Sequence, residues 1–118
     1  MEYFIVANSF AAPFVSDQSE HFEEAKSPRK ALEAFAGRYS HPARLFAADC
    51  YASATDYHKG KPALARWLCN HEIARQKATK GKGCHSYTSL GPGRLKIDDE
   101  LIVIPEPFKG KLVPVPSP

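Results

Sequence analysis

Short apolar runs separated by polar punctuation set out the elements of this chain. "EYFIVA", residues 2 to 7, is rich in β-branched and aromatic residues and apolar on both faces, which predicts a buried strand. A loop with Pro13 follows, and "EHFEEA", residues 20 to 25, with Phe22 as its one large apolar residue, fits an edge strand. Ser27 is an N-cap candidate, Pro28 suits a first helical position and Gly37 suits a left-handed stop. Between them Ala31, Leu32, Phe35 and Ala36 recur at helical spacing, with Tyr39 beyond.

"ARLFAADCYA", residues 43 to 52, alternates as a strand does and places Cys50 on a small-residue, core-like face. Ser53 and Asp56 form a capping-box-like start for a helical turn, "ATDYHK", that Gly60 ends. From Pro62, the positions of Leu64, Trp67, Leu68, His71 and Ala74 predict a longer helix running to about Thr79, with Trp67 buried. A "KGKG" loop then leads to "CHSYTSL", a "GPG" turn, and "RLKI" and "LIVI" around "DDE", a hairpin pattern. Five of the fourteen residues from Pro105 onward are proline, which predicts an extended, partly mobile tail.

The expected architecture is therefore α+β: one domain over residues 1–104, in the order β-β-α-β-α-α-β-β-β, with helices on one face of a largely antiparallel sheet, and a tail over 105–118. A chain of 118 residues, 43% hydrophobic and 25% charged, is enough for one core. The longest apolar runs fall far short of a bilayer span, so no membrane association is expected. An odd number of cysteines and an amino terminus without a basic, signal-like region point to a cytoplasmic protein with reduced thiols.

Charge changes this picture. The net charge of +3 hides a segregation in which residues 57–97 hold nine Lys/Arg against one acid, while the flanking parts are acidic. Lys59, Lys61, Arg66, Arg75, Lys77, Lys80, Lys82, Arg94 and Lys96 are the candidate contacts for an acidic partner, either nucleic acid or an acidic protein surface. Only Tyr57, Trp67 and Tyr87 lie there as aromatics for stacking on bases, which tempers an RNA reading.

The stretch "CNHEIARQKATKGKGCH" carries residues with zinc chemistry: Cys69, His71, Cys84 and His85. On a continuous helix, positions 69 and 71 point about 200° apart, and adjacent residues of a strand face opposite sides, so neither pair converges. No metal or cofactor is expected. The same stretch lacks the G-x-x-x-x-G-K-[ST] spacing of a nucleotide-binding loop and follows a helix where such a loop should precede one. "DYHKGK", residues 56 to 61, supports one catalytic alternative, a metal-independent nuclease with His58 as acid or base and Lys59 or Lys61 stabilising phosphorane-like charge. A docking role for the tail is the third reading, although "PVPSP" lacks the usual P-x-x-P spacing.

The run from "HFEEAKSPRKALEAF" through "LFAADCYASATDYHKGKPALARWL", residues 21 to 68, resembles segments of small accessory proteins of actinobacterial phages and prophages. The resemblance implies a compact product that binds and blocks a host or phage macromolecule. With that, the leading expectation is a non-enzymatic binding protein of the inhibitor or accessory type, with no catalytic residue.

Overall fold

The computed structural model describes residues 1–8, 18–39, 45, 47–79, 87–90, 93–107 and 109–115. Its strands and helices follow in the order β1 (Glu2–Ala7), β2 (Ser19–Glu24), α1 (Pro28–Tyr39), β3 (Ala47–Tyr51), α2 (Ala54–His58), β4 (Ala65–Cys69), α3 (Asn70–Thr79), β5 (Tyr87–Ser89), β6 (Arg94–Ile97), β7 (Glu100–Val103) and β8 (Gly110–Val113). Two antiparallel sheets result, a five-stranded one ordered β2-β1-β3-β4-β8 and a three-stranded one ordered β5-β6-β7. The α+β class and the antiparallel pairing agree with expectation, as does the edge position of β2.

The two faces of the large sheet differ. On one, Tyr3, Ile5, Cys50, Ala65 and Trp67 pack with Leu32, Phe35 and Ala36 of α1 into the main core. Ile5 and Leu32 are fully buried, each contributing about 1.5–3 kcal/mol relative to exposure. Ser27 caps α1, its hydroxyl accepting from the Lys30 amide at 3.1 Å. The helix does not stop at Gly37: that residue is helical and exposed, and the turn continues to Tyr39.

On the opposite face the register aligns Glu20, Val6, Asp49, Arg66 and Val113 in one row across all five strands, with Phe22, Phe4 and Tyr51 in the next. α2 lies against this face, which corrects the expectation that the helices pack on one face of the sheet: Tyr57 is drawn to the aromatic row of Phe4 and Tyr51 opposite α1. The Ser53 hydroxyl accepts from the Asp56 amide at 3.1 Å, and Gly60, at φ 76°, takes the left-handed position that ends the turn.

The expected helix from Pro62 to Thr79 is corrected. Its first half is β4, an interior strand, and only Asn70 onward is helical. Ala65, Trp67, Leu68 and Cys69 are all buried, because β4 has a neighbour on each side and cover on both faces. A strand buried on both faces loses its alternation, and its apolar run then imitates a helical stripe.

The tail departs from expectation as well. Gly110–Val113 is β8, paired with β4, and the loop before it caps α3: the amides of Asn70 and His71 donate to the carbonyls of Lys109 and Pro107 at 2.6 and 3.2 Å. Cys69 occupies the N-cap position of α3, its sulfur accepting from the Glu72 amide at 3.4 Å. Gly110 is required where β8 crosses Trp67, since a Cβ there would lie 2.1 Å from the Leu68 carbonyl oxygen and 2.5 Å from the Trp67 ring.

α3 joins the two sheets, packing against both β4 and β6. Leu95, Ile97 and Ile104 form a second small core with Ala74 of α3 and Ile102. The β6–β7 hairpin turns through Asp98 and Asp99, at φ 47° and 71°, the two positive values of a type I′ turn.

Candidate interaction surface

The nine basic residues have different fates. Arg66 stands opposite Asp49 across the β3–β4 ladder, its Nε and Nη2 donating to the two carboxylate oxygens at 2.7 and 2.9 Å. Asp49 is buried, and its carboxylate lies on the same sheet face as the neighbouring Tyr51. Burial, followed by the Asp49 charge, pushes the Tyr51 phenol up to about 12. This is a two-pronged, partly buried ion pair whose work is internal.

Arg75 is bound likewise, one helical turn from Glu72, which is fully buried and also accepts from Gln76 at 3.2 Å. Lys61 lies 3.5 Å from Asp56. Lys59 and Lys77 are exposed, and Lys80 and Lys82 lie outside the described residues. Arg94 and Lys96 are exposed on β6, and among the described residues neither forms an ion pair.

β6 is the strand where the sequence alternates most cleanly, Arg94 and Lys96 outward, Leu95 and Ile97 inward against α3. The two outward cations stand about 7 Å apart by strand rise. Their cross-strand partners on β7 are Val103 and Leu101, 65% and 56% exposed, and Thr88 of β5 flanks Lys96. Leu90, whose amide donates to the Arg94 carbonyl, adds another exposed aliphatic side chain. The outer face of the small sheet thus joins cations and aliphatic groups. The cations of β6 are legible in the sequence, whereas the exposed aliphatic side chains of β7 leave one signal, the unbroken run "LIVI", which is more apolar than a strand with one face in water requires.

The "DYHKGK" segment has a structural explanation. The exposed His58 ring lies 5.1 Å from Tyr57 and 6.5 Å from Phe4, centroid to centroid, within an aromatic group that also holds Phe22 and Tyr51. These contacts seat α2 on the sheet.

The zinc candidates divide in the same way. Cys69 ends β4 inside the main core, His71 is buried in the first turn of α3, and Cys84 and His85 lie outside the described residues. Burial pushes the Cys50 and Cys69 thiols up, to about 12 and about 11. Among the described residues no group of three or more His, Cys, Asp or Glu side chains is placed to hold a metal ion, and no helix is long and apolar enough to cross a membrane.

Comparison with protein-family models, with curated proteins and with solved structures finds no match.

Proposed function

We propose that this protein is a stoichiometric binder of an acidic protein, working through the outer face of the β5–β6–β7 sheet. The observation that carries the reading is the pairing of Arg94 and Lys96 with the exposed Val103 and Leu101 on one strand-paired surface. Buried aliphatic area provides affinity and the two cations select and orient an acidic counterpart. A nucleic-acid groove would favour aromatic side chains and further cations at these positions, because stacking and phosphate contacts dominate that recognition. A binder of this kind also fits the blocking role implied by the resemblance to phage accessory proteins.

The test is capture from lysate of the native host by wild type and by Arg94→Glu/Lys96→Glu, each with and without nuclease. Wild type should retain one stoichiometric, nuclease-resistant protein that the variant loses. Nuclease-sensitive capture would assign the surface to nucleic acid, and capture unaffected by the double substitution would remove the surface from the account.

A further inference from the structure

Among the described residues β2 and β8 are the end strands of the five-stranded sheet, each paired on one side only, and their charges are opposite. β2 carries Glu20, Glu23 and Glu24 and no basic residue other than His21, whereas β8 carries Lys111, follows Lys109 and holds no acid. From these two edges, which take no part in the surface proposed above, we infer that the protein associates with further copies of itself head to tail, the β2 edge of one copy adding to the β8 edge of the next.

Three features support that occupant. Charged edge strands ordinarily prevent sheet-to-sheet pairing, but they do so by like-charge repulsion, and edges of opposite sign attract instead. The side chains also match in pattern. By the register of the sheet, Glu20, Phe22 and Glu24 share the face turned away from α1, and so do Lys111 and Val113. A β2 strand laid along β8 sets Phe22, 60% exposed, beside Val113, and a glutamate beside Lys111, in either strand direction. Glu24 is already tied to the Met1 amino group and Glu23 to Arg38, but Glu20 has no ion-pair partner among the described residues.

The helix side has room as well. A groove of about 590 Å³ runs between α1 and β8, lined by Arg29, Glu33, Gly37, Trp67, Lys109 and Leu112, with Lys109 already paired to Glu106, and it leaves space beside β8 for the alternate side chains of an added strand. Because the two surfaces differ, the contact is heterologous and repeats from copy to copy.

Sedimentation velocity on the full chain across a wide concentration range, at low and at moderate salt, tests this directly. Wild type should associate progressively at low salt and dissociate as salt is raised. Glu20→Lys and Lys111→Glu are both at exposed positions and should each weaken association about tenfold or more, while their equimolar mixture restores it, because every mixed junction again joins opposite charges. A wild type that stays monomeric throughout, a dimer that does not grow, or single variants that associate like wild type would overturn the inference.

Discussion

Removing the Asp49 carboxylate isolates the consequence of placing Arg66 on an interior strand. The Asp49 side chain is 4% exposed and that of Arg66 is 20% exposed, and the two are joined by both guanidinium prongs. Asp49→Ala leaves the guanidinium without its acceptor. Loss of one partner of a buried pair costs about 3–5 kcal/mol, and the partial access of Arg66 to water places this site at about 3. With a urea dependence of about 1.5 kcal/mol per molar, the unfolding midpoint should fall by about 2 M at unchanged slope. The informative comparison is Asp49→Val/Arg66→Met, which replaces the whole pair with side chains that suit a buried ladder. That variant should lie within about 1 kcal/mol of wild type, because both desolvation costs vanish along with the attraction. A single variant that loses less than about 1 kcal/mol, or a double variant as unstable as the single, would refute the reasoning and free Arg66 for a role with a partner.

Two further outcomes follow from the main core. In a Cys84→Ser background, Cys50 and Cys69 should react with a thiol reagent at pH 8 only as fast as the protein opens, since burial holds both protonated. Their folded values lie above the ordinary value of 9.0, so their stabilising contribution is complete below about pH 9 and is lost as pH rises towards about 11 and 12. Denaturation midpoints should therefore fall over that window, less steeply in Cys50→Ala. Gly110→Ala should destabilise by about 1–3 kcal/mol through its collision with Leu68 and Trp67, read from thermal melts together with earlier proteolysis of the C-terminal segment.

The parts of the fold legible in the sequence are those whose cause is local. Ser27 and Ser53 cap their helices within three residues, Gly60 ends α2 with a positive φ, and the two aspartates of the hairpin turn are adjacent. β4 was not legible, because it is a strand only by virtue of β3 before it and β8 far beyond it, and its alanine, leucine and arginine content favours a helix when nothing pairs with it. β8 was hidden for the same reason, its proline-rich surroundings masking four residues that complete the sheet.

The candidate surface divides along the same line. The excess of positive charge was visible, and the Glu72–Arg75 pair follows from helical spacing, but Asp49 and Arg66 are seventeen residues apart and meet only through strand register. The unbroken run "LIVI" was visible too, but which of its side chains stand exposed was not, since that depends on the small sheet packing one of its faces against α3.

The central claim, that partner recognition belongs to the outer face of the small sheet, is tested most directly by comparing two cation pairs in one capture assay. Arg94→Glu/Lys96→Glu and Lys59→Glu/Lys61→Glu reverse equal charge at different places, the first beside Leu101 and Val103 and the second after α2. The account predicts that the first variant loses the bound acidic protein and the second keeps it. Equal loss from both would show that net charge alone governs binding, and loss from the second alone would place the site at α2.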